Sequence, residues 1–180
     1  MAVIQRIREF FTPLSELEPE TIVPAPPTVY AIRPLTDKYL SEILRLNLRC
    51  FKAGENYTKH TFSYLLNEPN SLSYRVVTPD NTIVAFIFIM ANAKDGTGHI
   101  TSVAVAPEHR RRGLAVKLLQ HAEEALRKRN IGIMMLEVRV SNIAAQNLYR
   151  RHGYLTVQRL PKYYNNGEDG FLMVKSLENE

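Results

Sequence analysis

The stretch LEVRVSNIAAQNLYRRHGY, residues 136–154, joins an apolar strand pattern to a helical pattern. In the strand part, Glu137 and Arg139 alternate with apolar residues. Asn142 is a residue type that often begins a helix, and Tyr149 lies within the helical pattern that follows. Four side chains able to hydrogen-bond therefore lie where a buried strand passes into a helix, and this concentration of polar groups needs a chemical explanation.

Working outward from this stretch, periodicity predicts eleven elements in the order βααβββαβαββ. The predicted strands are residues 30–35, 73–78, 83–92, 98–106, 133–140, 154–160 and 171–177, and the predicted helices are residues 36–51, 58–68, 114–130 and 142–153. Strands and helices alternate in the second half. The sequence therefore predicts an α/β (α+β) domain over residues 29–177, with a mixed central β-sheet and helices on both faces.

Residues 1–28 precede this pattern, and residues 178–180 form a short tail. Apolar residues recur at helical spacing over residues 2–11, which predicts a short amphipathic helix. A proline-rich stretch follows and predicts an extended linker. Packing of the helix on the domain is favoured over packing on a partner or on a membrane surface.

Composition narrows the class of protein. The chain has 180 residues and a formal net charge of +5, which suits a phosphate-bearing cofactor or an acidic peptide. No nucleic-acid-reading motif, membrane-length apolar run or metal-ligand cluster is visible. Cys50 is the single cysteine, so no intrachain disulfide can form, which favours a cytoplasmic protein.

The stretch SVAVAPEHRRRGLAVKLL, residues 102–119, joins a predicted strand to a predicted helix through a basic loop. A helix N-terminus presents unpaired N–H groups and the positive end of the helix dipole, so such a loop can hold a pyrophosphate. Gly113 permits close backbone approach, and Ala115 keeps the first turn small. The alternative for the three arginines is a solvated surface. The Gly-Lys-Ser/Thr ending of a nucleotide P-loop is absent.

The two quoted stretches, in this order and spacing, resemble the GNAT acetyltransferase superfamily. The second also resembles its protein N-terminal acetyltransferase branch, which includes the bacterial ribosomal-protein-alanine acetyltransferase and the catalytic subunit of the NatA complex. NLRCF and GENY near residue 50, GHITSVAV from Gly98 and PKYYNNGEDG from Pro161 agree with this branch. The resemblance covers residues 29–177 and implies the GNAT fold, in which two parallel strands splay apart around acetyl-CoA.

The resemblance implies how acetyl-CoA would be held. Backbone groups of the first splayed strand would bind the pantetheine and the acetyl carbonyl, at Val103, Ala104 and Val105. Backbone N–H groups of the basic loop would hold the pyrophosphate, at Arg110, Arg111, Arg112, Gly113, Leu114 and Ala115. Asn142 would cap the following helix and hydrogen-bond the cofactor, and a pure helix cap is its alternative.

The resemblance also implies the groups that move protons. Glu137 would be the general base and Tyr149 the general acid facing the CoA sulfur. A salt bridge with an arginine is the alternative for Glu137, and a core aromatic is the alternative for Tyr149. Glu55 is the rival base and could line the peptide site, although its loop is two residues longer than in the family. His99 would lie near the cleft or be a packed histidine.

The remaining candidate residues would bind the acceptor. Arg139 would orient a substrate carbonyl or organise the glutamates, with a plain surface arginine as its alternative. Tyr163 and Tyr164 resemble a tyrosine pair that clamps a peptide backbone, although an aromatic pair on an edge strand would look the same. Phe51 and Tyr57 would form part of the pocket for the first side chain.

These implications predict acetyl transfer from acetyl-CoA to the free α-amine of a protein or peptide N-terminus, with a ribosomal protein among the candidate acceptors. The alternatives are an acetyltransferase acting on lysine or a small amine, and a catalytically silent acyl-CoA-binding module. The prediction includes no metal, no nucleic acid and no membrane. It describes a monomer or weak dimer and leaves an auxiliary subunit open.

Overall fold

A computed structural model describes residues 22–51 and 57–178. Within these residues the strands are β1 Ala31–Pro34, β2 Ser71–Val77, β3 Ile83–Asn92, β4 Thr97–Val105, β5 Ile133–Arg139, β6 Leu155–Leu160 and β7 Gly170–Ser176. The α-helices are α1 Leu40–Cys50, α2 Lys59–Asn67, α3 Leu114–Arg127 and α4 Ile143–Arg151. The predicted element order is confirmed, while the predicted helix at residues 2–11 lies outside the described residues.

The seven strands form one sheet in the order β1-β2-β3-β4-β5-β7-β6. Strands β4 and β5 are parallel, and every other neighbouring pair is antiparallel. The mixed sheet that the sequence predicts is therefore confirmed.

The parallel pair is joined at one end only. Thr97, Gly98 and His99 of β4 pair with Ile133, Met134 and Met135 of β5. Beyond that point β4 continues to Val105 and β5 to Arg139 without pairing to each other. The two strands therefore diverge, which confirms the expected splayed pair.

One face of the sheet is covered by α1 and α2. The Phe62 side chain of α2 is fully buried and lies 5.8 Å from the Phe86 ring and 5.2 Å from the Phe88 ring, measured between centroids. Phe86 and Phe88 point to the same side of β3, because side chains alternate along a strand. This aromatic cluster fixes α2 over the centre of the sheet.

The opposite face is covered by α3. Tyr74 of β2 pairs with Ile87, which alternates with the phenylalanines of β3, and its ring lies 4.5 Å from that of His121 in α3. Helices therefore lie on both faces, as predicted. In the part of the chain that the structure describes, no helix combines the length and apolar character that a membrane span requires.

Candidate active site

A cavity of about 470 Å³ lies where β4 and β5 diverge. Its walls include the facing strand segments, one side of α4, the end of α1 and the β6–β7 connection. Candidate residues from distant parts of the sequence meet here: Phe51, Tyr57, Val103, Glu137, Arg139, Asn142, Tyr149, Tyr163 and Tyr164. The gap between the splayed strands thus forms a site to which strands, helices and loops all contribute residues.

A β-bulge shapes the β4 wall of the cavity. Phe88 pairs with Ser102 and Ile89 pairs with Ile100, so Thr101 is the extra residue. The carbonyl of Thr101 accepts a hydrogen bond of 2.8 Å from the Tyr57 hydroxyl. A bulge bends a strand and re-aims its side chains, and here the bend occurs beside the cavity.

Glu137 lines this cavity and an adjoining one, and its hydrogen-bonding partner His99 lines the adjoining cavity. His99 Nε2 lies 2.6 Å from Glu137 Oε2, and the Glu137 side chain is 18% exposed. Burial, followed by the negative charge of Glu137, raises the pKa of Tyr57 and of Tyr163. Glu137 is thus a half-buried carboxylate with a histidine on one side and two tyrosines nearby. Within residues 22–51 and 57–178, the partner of Glu137 is thus a histidine, whereas the predicted alternative is a salt bridge with an arginine.

The α4 wall carries Asn142 and Tyr149. The Asn142 side chain accepts a hydrogen bond of 3.1 Å from the Ala145 N–H, so its predicted role as a helix cap is confirmed. Tyr149 is 7% exposed and lines the cavity, and its ring lies 5.7 Å from that of Tyr154. Burial raises the pKa of Tyr149 to about 12, so its hydroxyl keeps its proton at neutral pH.

The β6–β7 connection is tied to the end of β5. The Arg139 guanidinium donates a hydrogen bond of 2.9 Å to Glu168 and lies 3.8 Å from the centre of the Tyr164 ring. Glu168 also accepts a hydrogen bond of 2.9 Å from the Ser141 N–H. The Ser141 hydrogen bond and the Arg139 contact lower the pKa of Glu168 to about 2. These contacts hold Tyr164 in the cavity wall, and the Tyr163 ring lies beside it with its centre 5.1 Å away.

The basic loop leads into α3 beside the splayed strands. Gly113 is the N-cap of α3 at a φ of 74°, a left-handed conformation that glycine adopts without strain, and a Cβ placed there would meet no atom within 4 Å. The space beside Gly113 is therefore open, and the first N–H groups of this 14-residue helix follow directly, as in a phosphate cradle. Arg110 donates through Nε to the Val105 carbonyl, and Arg111 is exposed.

The placing of the other candidates is mixed. Ala104 is buried in the core, and Val105 lies on β4 beyond the cavity lining. The Arg112 side chain bonds to the carbonyls of Ala25 and Pro26. Glu55 lies outside the described residues, so its role as the alternative general base to Glu137 stays a prediction.

Three polar residues that support the site were not among the candidates. Asn47, which is 2% exposed, donates a hydrogen bond of 3.3 Å to the Tyr57 carbonyl. Gln146, also 2% exposed, donates to the carbonyls of Arg139 and Val140 and fastens the end of β5 to α4. Glu168 lies within the PKYYNNGEDG motif, which was a signal for it, whereas Asn47 lies on an apolar helix pattern that gives none.

The sequence and the fold are both similar to those of known acetyltransferases. The sequence profile described as the acetyltransferase (GNAT) family matches residues 40–154. The chain is 32% identical to N-alpha-acetyltransferase 30 of Schizosaccharomyces pombe over 143 residues, which is 78% of this chain and 93% of the relative. The match thus extends over nearly the whole relative.

Two solved structures share the fold and more than a quarter of the aligned residues. The ribosomal-protein-S18-alanine N-acetyltransferase of Escherichia coli superimposes with a TM-score of 0.75 at 26% identity, covering 84% of this chain and 96% of that one. A chain of the NatC complex bound to Gag peptide and CoA superimposes with a TM-score of 0.74 at 26% identity, and the match covers 83% of this chain and 99% of that one.

Proposed function

The chain belongs to the GNAT family of acetyltransferases, and from that premise we propose that it transfers the acetyl group of acetyl-CoA to the free α-amine of a protein or peptide N-terminus. One observation carries the proposal: Glu137 lines the same cavity as residues of α4 and as a tyrosine pair that the Arg139–Glu168 contact tethers. Such a cavity suits a reaction in which donor and acceptor approach a shared centre from different sides.

The residues present fit acetyl-CoA. The divergent strands leave a slot beside Val103, and the basic loop offers the free N–H groups at the start of α3 for a pyrophosphate. Bound there, acetyl-CoA supplies a thioester as the acyl donor. The backbone N–H of Val103 is our candidate to stabilise the negative charge that develops on the carbonyl oxygen.

Glu137 is our proposed general base, with His99 as its partner. An α-amine has a pKa near ~8, so roughly a tenth is neutral at pH 7, and a base need only remove a proton during or after attack. His99 lies 2.6 Å from the carboxylate and can orient it or share the proton. Glu55 is the rival base in this proposal.

Tyr149 is the proposed donor to the leaving sulfur. Because the pKa of Tyr149 is about 12 and that of a thiol is ordinarily about 8.5, complete transfer of its proton to a thiolate is uphill. Tyr149 is therefore expected to stabilise the thiolate by a strong hydrogen bond.

The acceptor is proposed to be a peptide rather than a small amine. A small amine has no backbone for Tyr163 and Tyr164 to clamp, whereas a peptide N-terminus lying beneath them would place its amine towards Glu137. Phe51 and Tyr57 line the same cavity and would contact the first side chain. Cytoplasmic proteins, ribosomal proteins among them, are the proposed acceptors.

The test is acetyl transfer to peptides with free N-termini, run beside N-blocked peptides that contain lysine and beside small polyamines. Intact-mass measurement after incubation with acetyl-CoA reads out each reaction. We expect turnover on the free termini alone. Turnover confined to blocked peptides or polyamines would replace the proposed acceptor, and acetyl-CoA binding without any turnover would favour a silent acyl-CoA-binding module.

A further inference from the structure

Residues 25–30, here called the brace, lie against the basic loop that precedes α3. The Ala25 N–H donates a hydrogen bond of 2.9 Å to the Glu108 carbonyl. The family profile begins at residue 40, so the brace precedes the matched region. A segment outside that region therefore contacts the proposed pyrophosphate cradle directly.

Arg112 is the main link between the brace and the loop. Its guanidinium donates to the Pro26 carbonyl at 2.9 Å, to the Ala25 carbonyl, and to the Tyr30 hydroxyl at 2.8 Å. One side chain thus satisfies three acceptors, all in the brace. These bonds use the planar, forked donor geometry that arginine has and lysine lacks.

Tyr30 passes this link to the other end of the loop. Its hydroxyl accepts from Arg112 and also shares a hydrogen bond of 2.9 Å with His109 Nδ1. The Tyr30 and His109 rings also meet edge-to-face at 5.8 Å. His109 is 9% exposed and lies in the turn that opens the loop. The brace therefore contacts the loop near its start, through His109, and near its end, through Arg112.

The loop conformation needs such support. Arg111 has a φ of 61°, a left-handed conformation that a non-glycine residue keeps only when its surroundings hold it there. Arg112 follows directly, and Gly113 then begins α3. Fixing the Arg112 side chain fixes the backbone on either side of it, where the N–H groups for a pyrophosphate lie.

We propose that Arg112 and Tyr30 are positioning residues that, through the brace, hold the cradle loop ready for the pyrophosphate of acetyl-CoA. A loop ordered before binding spares the ligand the entropic cost of ordering it. The effect should appear in the affinity for CoA and acetyl-CoA and leave the transfer step unchanged. The inference rests on acetyl-CoA as donor and is independent of the acceptor.

The experiment compares full-length R112A, Y30F and R111A by calorimetric titration with CoA, without any acceptor. R111A is the matched control, because it removes the same charge from the neighbouring, exposed position. One hydrogen bond corresponds to roughly fivefold in an equilibrium constant. We expect R112A to raise the Kd at least about fivefold more than R111A does, and uncharged Y30F to raise it roughly threefold.

A second arm uses S-acetylpantetheine, which lacks the pyrophosphate, as acetyl donor with a peptide that the wild-type protein acetylates. We expect the KM for acetyl-CoA to rise in R112A and Y30F while the KM for S-acetylpantetheine stays at the wild-type value. The R112A/Y30F double variant should lose less than the product of the single effects, because both break one network.

Three results would overturn the proposal. They are an equal Kd for CoA in R112A and R111A, a rise in the KM for S-acetylpantetheine as large as the rise in the KM for acetyl-CoA, and an unchanged Kd for CoA in Y30F. If R112A fails to fold, the Y30F titration alone decides, since that change removes only one hydroxyl. Failure of the N-terminal acceptor proposal would leave the CoA titrations intact, so the two failures are distinguishable.

Discussion

Replacing Glu137 with glutamine tests the proposed base most sharply. The change keeps the size of the side chain and a hydrogen bond to His99, which lies 2.6 Å away, but removes the negative charge. General-base catalysis contributes roughly 100-fold to 10,000-fold. Because His99 stays in place and can accept a proton instead, we expect a loss near the lower limit, about 100-fold in kcat, or ~3 kcal/mol in the activation barrier.

The assay is a peptide with a free N-terminus and saturating acetyl-CoA, followed from pH 6.5 to 9.5. Raising the pH supplies neutral α-amine, but from pH 7 this gains only about tenfold because roughly a tenth is neutral already. A defect that persists at pH 9 therefore reports the loss of the base in the transfer step. Titration with CoA should give the wild-type Kd, since Glu137 is not part of the cradle.

Glu55→Gln is the matched control, because Glu55 is the rival base. A kcat within about threefold of wild type in E137Q, together with a loss of about 100-fold in E55Q, would refute Glu137 as the general base and assign that role to Glu55. A defect in E137Q that disappears at pH 9 would show that Glu137 only deprotonates the amine before attack.

Three further predictions follow from the same contacts. Tyr149→Phe should lower kcat roughly 10-fold to 100-fold while leaving the KM for the peptide unchanged, measured by thiol release, because only the hydrogen bond to the sulfur is lost. The pKa of Glu168 is depressed to about 2, so its bonds to Ser141 and Arg139 stabilise the folded state fully above about pH 4.5, and that contribution is lost as the pH falls towards 2. E168Q should therefore make the free energy of unfolding, measured by denaturant melts, less dependent on pH in this range, and it should raise the KM for the peptide. An unchanged pH dependence would contradict the tether assigned to Glu168. Phe62→Ala should cost about 3–5 kcal/mol in the free energy of unfolding, because the side chain is fully buried between α2 and β3, and a loss below about 1 kcal/mol would contradict that packing.

Local pattern was enough to predict the elements. The buried strand Ile83–Asn92 is a continuous apolar run with turn residues at both ends, and α3 is strongly periodic, so both were readable from the sequence. The periodicity predicts that α3 ends at Asn130 or just before Gly132, whereas the helix ends at Arg127 and Asn130 adopts a φ of 58°, outside the right-handed helical region. Such boundaries depend on single dihedral angles that periodicity does not encode.

The site was predictable only where a motif carried it. Glu137, Asn142 and Tyr149 lie within one quoted stretch, and the structure brings all three to the cavity. His99 and Glu137 are 38 positions apart in sequence, and their pairing depends on the register between β4 and β5, in which His99 lies opposite Met135. Tertiary contacts of this kind leave no mark in local sequence.

The brace illustrates the same limit. The proline-rich stretch before residue 29 predicts only an extended linker, yet its carbonyls meet Arg112, 86 and 87 positions away in sequence. The arginine cluster suggested contacts with phosphate, and the structure assigns one of its three guanidinium groups to the linker instead. Charge alone could not distinguish these uses.

The most direct test of the central claim is a peptide that carries both a free N-terminus and one internal lysine, incubated with acetyl-CoA and the full-length protein. Fragmentation by tandem mass spectrometry locates the acetyl group, with E137Q as the matched control. The account predicts acetylation of the α-amine alone, and about 100-fold slower in E137Q. Acetyl on the lysine side chain, with the α-amine unmodified, would contradict it.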